Sequence, residues 1–171
     1  MKTLIAASAV IVLCACQTMS QQGPRASADL KPTKGSNTSG QATFTQVADK
    51  VRVVVEVQGL KPGAEHGFHI HEVGDCSSGD GMSTKGHFNP FGKAHGHHTS
   101  AEHHAGDLPS LRADSSGRAK INVDIPMISV TPGAGSVVGR GLIVHADPDD
   151  YKTQPTGNAG ARVACAVIQA S

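Results

Sequence analysis

Two short apolar runs of this chain carry histidine where a strand core would ordinarily carry only aliphatic side chains. Gly67-Phe68-His69-Ile70-His71-Glu72 holds a His-x-His pair, and Leu142-Ile143-Val144-His145 ends on a third imidazole. Side chains two apart on a strand point to the same face, so His69 and His71 could chelate one ion. Between the two runs lie His87, His95, His104 and Asp107. They sit in a stretch from Gly74 to about Pro109 that is rich in glycine, serine and histidine and has no sustained apolar period. A structureless segment of that length inside a compact domain is usually functional or disordered, and metal ligation would give it a reason to be ordered. Imidazole suits zinc and copper, and a carboxylate beside histidines is an ordinary zinc set. The pattern predicts a metal site held between strands.

Elsewhere, short strand-like runs alternate with turn signals. Gln41–Val47 and Val51–Val57 flank the turn Ala48-Asp49-Lys50 and read as a hairpin. Strand patterns return at Ala119–Ile125, Leu142–His145 and Arg162–Ile168, and nothing reads as a long amphipathic helix or an internal repeat. Many short strands punctuated by Gly, Pro and Asp predict an all-β sandwich or barrel, and 171 residues is the length of one domain.

The first residues do not belong to that domain. Lys2, the apolar run Leu4–Leu13 and the ending Leu13-Cys14-Ala15-Cys16 form a secretory leader, too short to span a bilayer as a mature helix. The Leu-x-Ala-Cys ending resembles a bacterial lipobox, which implies cleavage before Cys16 and diacylation of its thiol. The alternative is an ordinary secreted protein cut nearby, which would carry spare thiols into an oxidising compartment. Cys14 is the poorer acylation site, because bulky Leu13 would precede the cut. The expected organisation is a signal peptide over 1–15, a flexible tether over 16–27 and the folded domain over 28–171. Membrane contact is expected through the lipid anchor alone, on the periplasmic side of the cell envelope. The 15 Lys and Arg and the 14 Asp and Glu balance once Lys2 leaves with the leader. No basic stripe with interleaved aromatics appears, which argues against nucleic acid or another polyanion. Cys76 and Cys165 remain, an even number in an exported domain, which implies one disulfide. A thiolate metal pair is the weaker alternative, since neither has a second cysteine at zinc-site spacing.

Gly67–Glu72, His87-Phe88-Asn89-Pro90, His104-Ala105-Gly106-Asp107-Leu108, Val144-His145 and the run Gly157-Asn158-Ala159-Gly160-Ala161-Arg162-Val163-Ala164-Cys165 together resemble the copper/zinc superoxide dismutases, in their bacterial exported branch. The resemblance runs from about Ala28 to Ile168. It implies a Greek-key β-barrel or sandwich of about eight antiparallel strands with long metal-binding and active-site loops, the architecture for which this family is a known example. It implies copper on His69, His71, His87 and His145, and zinc on His87, His95, His104 and Asp107, with His87 as a shared imidazolate. Arg162 would dock the superoxide anion beside copper. Asp149 would link a copper-ligand and a zinc-ligand histidine, with Asp147 and Asp150 as rivals if the register slips. The implied activity is disproportionation of superoxide to oxygen and hydrogen peroxide by copper redox cycling, with His87 leaving copper on reduction to take a proton. A homodimer is left open, because subunit contacts in the bacterial branch differ from eukaryotic ones.

The remaining histidines take blander roles. His66 stands where the family carries a structural histidine and is expected to pack through a hydrogen bond. His97, His98 and His103 are expected as solvated loop residues. His103 adjoins His104, and the place of His104 three residues before Asp107 makes it the ligand of the two. Asp147–Thr156, the counterpart of the loop that shapes the family's electrostatic funnel, is short and lacks glutamate, so the means of steering does not carry over. Two other classes are a metal buffer or chaperone on the same scaffold and a purely structural zinc β-domain. The first would lack a copper ligand or Arg162, and the second would need only the zinc set. The intact His69, His71, His145 and Arg162 count against both.

Overall fold

Valine at every second position, with Val54 the one apolar residue on the opposite face, makes Lys50–Gln58 (β3) the plainest strand of the chain. Val51, Val53, Val55 and Val57 are buried and the residues between them exposed, because successive side chains of a strand face opposite ways. β3 pairs antiparallel with Ser39–Val47 (β2) across the loop Ala48-Asp49, and its other edge pairs with Ala119–Ile125 (β7). The computed structural model describes residues 23–171. The expected leader, the acylation site Cys16 and the first part of the tether lie outside the described residues.

The other strands are Arg25–Pro32 (β1), Glu65–His66 (β4), Phe68–His71 (β5), Leu111–Arg112 (β6), Gly141–His145 (β8), Arg162–Val167 (β9) and Gln169–Ala170 (β10). One antiparallel sheet runs in the order β5-β8-β9-β1-β2-β3-β7, with β10 added on β1, and β4 and β6 form a separate pair. Among the described residues the helical content is a single 3-10 turn, Met82–Thr84. The sheet curls around one core, in which Leu30, Phe44, Phe68, Ile70, Leu108, Leu111, Ile125, Leu142 and Ile168 are fully buried. Burying each such side chain contributes about 1.5–3 kcal/mol.

β1 corrects the expected start of the domain at residue 28. Arg25, Ala26 and Ser27 are already strand, and Ala26, Ala28 and Leu30 point into the core. Two alanines give little apolar signal. Backbone pairing holds this strand, with β2 along one edge and β10 and then β9 along the other.

The long Gly/Ser/His stretch is ordered by more than ligation. It docks on the free edge of β5. Phe88 N–H donates to Ile70 O at 2.8 Å, Ile70 N–H to Gly106 O at 2.9 Å, and Glu72 N–H to Gly86 O at 2.9 Å. Phe88, Ala105 and Leu108 are buried beneath it. Gly106 is required there, since a Cβ would overlap the Ile70 carbonyl oxygen.

A disulfide joins Cys76 to Cys165 across 89 residues, tying the segment after β5 to β9. Under the chain-entropy model a closed loop of that size stabilises by about 4–5 kcal/mol. Reduction with confirmed loss of the bond should lower the melting temperature by several degrees in calorimetry, and an unchanged melting temperature would remove this contribution.

Candidate metal centre

β5 sets His69 and His71 on one face, as their spacing requires, and neighbouring β8 delivers His145 at its end. The docked loop brings His87 opposite His71 and Asp107 opposite His69. Four nitrogens converge: His69 Nδ1 and the Nε2 atoms of His71, His87 and His145. All are buried and have no hydrogen-bond partner among the described residues, and these four histidines each offer an atom within 4.8 Å of the others.

A second set, His87, His95, His104 and Asp107, gathers by the same measure. The Nδ1 atoms of His87, His95 and His104 lie 2.9, 3.1 and 3.3 Å from Asp107 Oδ1. Four ligands placed tetrahedrally at about 2.0–2.1 Å from a zinc ion stand about 3.3–3.4 Å from one another. Asp107 Oδ2 is engaged elsewhere, accepting from the backbone N–H of His104 at 2.8 Å and of Gly96 at 3.2 Å. His87 thus belongs to both sets, with Nδ1 in one and Nε2 in the other.

The far nitrogen of each ring fixes its tautomer. His71 Nδ1 donates to Lys85 O at 2.8 Å, and His145 Nδ1 to Gly160 O at 3.2 Å. Asp149 joins the sets: Oδ2 accepts from His69 Nε2 at 2.7 Å and Oδ1 from His95 Nε2 at 2.9 Å. Its rivals are occupied otherwise. Asp150 accepts from Lys152 and Thr153 in a turn, and the Asp147 carboxylate packs against Gly160.

The two environments differ electrically. Burial first, then neighbouring histidine and arginine charge, pushes His71 well below the ordinary imidazole value. Burial, with further lowering by His69 and His95 against the raising effect of Asp107, takes His87 down to about 4. Burial, reinforced by His69, lowers His145 to about 3. These rings are neutral at pH 7, with lone pairs free to bind a cation. For His95 burial also lowers the pKa, but Asp107 and Asp149 on its two sides outweigh it and raise His95 to about 9. Burial alone would raise both carboxyls. Hydrogen bonds from the histidines hold Asp107 and Asp149 well below the usual carboxylate range instead.

Arg162, at the start of β9, is clamped in the segment after β5. Nη1 donates to Gly81 O at 2.6 Å and to Thr84 Oγ1 at 2.8 Å, and Nη2 to Lys85 O at 2.6 Å. The Cys76–Cys165 bond, three residues along β9, holds that segment against the same strand. The Lys85 carbonyl thereby serves both His71 and Arg162. Lys85 reaches this orientation at φ 61° and ψ −142°, close to a region that only glycine enters freely, at a cost of about 1–3 kcal/mol.

Of the other histidines, His66 is buried, with Nδ1 donating to His145 O at 2.8 Å. His97 and His98 are half-buried, their rings 4.2 Å apart. His103 corrects the expectation of a solvated residue: it is buried, and its Nδ1 donates to His104 O at 2.7 Å, which braces the neighbouring His104. Sequence reasoning also passed over Gly157 as a positioning residue. It lies at φ +68°, and a Cβ there would overlap Asp149 Oδ1 and stand 2.5 Å from His95 Nε2. The signal available was its place at the head of the Gly-Asn-Ala-Gly run.

An all-β domain with two buried ligand sets sharing one imidazole is a dinuclear histidine metalloprotein. Residues 38–168 match the family model for copper/zinc superoxide dismutase. Among the chain's relatives, superoxide dismutases [Cu-Zn] 1 and 2 of Aquifex aeolicus are each 40% identical to it. The first alignment covers 83% of this chain and 86% of the relative, the second 86% and 88%. The superoxide dismutase [Cu-Zn] of Paramecium bursaria Chlorella virus 1 is 44% identical over 75% of this chain and 71% of its own. The crystal structure of the clock protein EA4 superposes with a TM-score of 0.78 at 41% identity, covering 86% of this chain and 95% of that one. The chain belongs to the copper/zinc superoxide dismutase family, oxidoreductases that act on superoxide with copper and zinc as cofactors.

Gly157→Ala should push Asp149 out of its bridging position and weaken the hold on both metals by roughly 10- to 100-fold, the range found for orienting partners. Chelator competition reads this, and Asp149→Asn, which adds no bulk, should weaken binding in the same direction. Wild-type affinity in both variants would contradict the bridge.

Proposed function

We propose that His69, His71, His87 and His145 hold copper, that His87, His95, His104 and Asp107 hold zinc, and that Arg162 docks superoxide at the copper. The observation that carries this is the convergence of four buried, unpartnered imidazole nitrogens. Among the described residues no side chain satisfies them, and a cation suited to imidazole ligands would. The second set contains a carboxylate and has the spacing of a closed tetrahedral shell, which suits a structural zinc.

Copper, when bound, supplies one-electron chemistry by cycling between two oxidation states. The residues around it do the rest. Arg162 presents a planar cation whose donors are already oriented by Gly81, Thr84 and Lys85, so an incoming anion meets a preorganised charge. Burial lowers its pKa and the Asp80 carboxylate opposes that effect; a guanidinium stays charged regardless. His87 can hold a proton at Nε2 while Nδ1 remains in the zinc set. Asp149 keeps His69 and His95 from rotating as this happens.

His145→Ala should lower dismutation by at least roughly 100-fold, beyond what loss of an orienting partner alone costs, while leaving one zinc per chain by elemental analysis. Retained activity, or loss of zinc along with copper, would overturn the division of ligands.

We further propose that the enzyme works in the cell envelope, on the periplasmic side, anchored by acyl chains on Cys16. The leader pattern and the Leu-x-Ala-Cys ending support this, as does a structural disulfide, which persists in oxidising compartments. Two or more acyl chains anchor a protein stably. Cys16→Ser should abolish labelling by radioactive palmitate and move the protein out of the membrane fraction; labelling that survives would place the modification elsewhere or remove it from the account.

A further inference from the structure

We propose that His97, His98 and His103 form a third cation site, on the loop that carries His95 and His104, for a divalent ion suited to imidazole ligands, zinc or copper. The site is separate from the two inner sets and does not depend on how their ligands divide.

The fold gathers these three histidines although neither inner set uses them. The two arms of the loop meet where Gly96 lies against Glu102. A Cβ on Gly96 would stand 2.5 Å from Glu102 O and 3.8 Å from the Cβ of His103. Lys93 pairs with Glu102 at 2.6 Å and closes the same two arms. His97 and His98 leave one arm beside the point where His103 enters the other. The rings of His97 and His98 are 4.2 Å apart, and Tyr151 meets the His97 ring edge-on at 4.7 Å. The Tyr151 hydroxyl is itself anchored, 2.6 Å from Ser110 Oγ. A loop that only kept its histidines in water would need none of this order.

The ring nitrogens are set up as ligands. His103 Nδ1 donates to His104 O at 2.7 Å, which leaves the lone pair on Nε2. His97 Nδ1 donates to Thr99 Oγ1 at 2.8 Å, with the same consequence. His98 Nδ1 is buried and has no partner among the described residues, the sign that also marks the copper set. Burial first, then the charge of His97 and of His103, lowers the pKa of His98, so its ring is neutral at pH 7. The Glu102 carboxylate is engaged by Lys93, so the donors are imidazoles alone. Such a set favours zinc or copper over magnesium or calcium, which prefer oxygen. The three rings are not drawn as close as the 4.8 Å of the inner sets. Water would complete the shell, and the ion would be held more weakly than the inner two and exchange readily. His97 follows His95 by two residues and His103 precedes His104 by one, so that ion stands next to two ligands of the zinc set.

The test is calorimetric titration of Zn2+ into the metal-loaded protein after dialysis to constant metal content, with Mg2+ as the control. Zinc bound in excess of that content should reach one ion per chain, and Mg2+ should not compete for it. The double variant His97→Gln/His98→Gln should lose the excess ion and keep the dialysed metal content. Long-range proton–nitrogen NMR spectra of the wild type, with copper reduced, should show the ring nitrogens of His97, His98 and His103 shifting as the excess ion binds. Absence of excess zinc in the wild type would overturn the proposal. So would an excess that survives in the double variant, displacement by Mg2+, shifts confined to the inner histidines, or loss of the inner metals from the double variant. Failure of the inner ligand assignment reads out separately, as copper retained at full stoichiometry in His145→Ala.

Discussion

Four imidazole nitrogens buried face to face, with no partner among the described residues, are the constraint around which the rest of this protein is arranged. A buried polar atom left unsatisfied costs about 1–3 kcal/mol, and four lone pairs aimed at one point can be satisfied together only by a cation. The fold secures that arrangement from the outside. Each ring of the set is fixed by its other nitrogen, to Asp149, to Lys85 O, to Gly160 O or, for His87, to the second ligand set. The sheet supplies three of the four rings from two paired strands, and the fourth arrives on a loop hydrogen-bonded to the edge of one of them.

The two ligand sets are joined in two places, and the joints differ in kind. His87 joins them directly, through one aromatic ring. Asp149 joins them from behind, with one carboxylate oxygen on His69 and the other on His95. The second joint explains several features of the loop that carries it. Gly157 has no side chain because Asp149 and His95 occupy the space. The Tyr151 N–H donates to Asp149 Oδ1 at 2.7 Å, and Gln154 braces His95 by accepting from its N–H at 2.9 Å and donating to its carbonyl at 2.9 Å. These bonds tie a segment of irregular backbone to both histidine sets.

The sequence was most legible where one physical rule acts alone. β3 carries valine at every second position from Val51 to Val57, so its buried face follows from the two-residue period even though Val54 interrupts the polar face. His69 and His71 share a face for the same reason. The stretch between Gly74 and Pro109 was legible as ligand-bearing, but its order was not, because backbone bonds from Phe88, Gly106 and Gly86 to β5 leave no mark on side-chain pattern. β1 leaves no strand signal at all, because Ala26 and Ala28 are too small to raise an apolar pattern, and β4, β6 and β10 leave none because two residues have no period. His103 looked solvated beside so many polar neighbours, yet its bond to the His104 carbonyl carries it inside. The strain at Lys85 is a property of dihedral angles and could not be read from residue type.

The shared ring of His87 is the most exposed claim, since every role assigned to the two sets depends on it. Diffraction from the copper- and zinc-loaded protein at wavelengths spanning both absorption edges tests it directly. The expected result is a copper signal within bonding distance of His87 Nε2 and a zinc signal within bonding distance of Nδ1 on the same ring. A single ion in the crystal, the two metals in exchanged positions, or a His87 ring bonded to only one of them in the oxidised protein would contradict it.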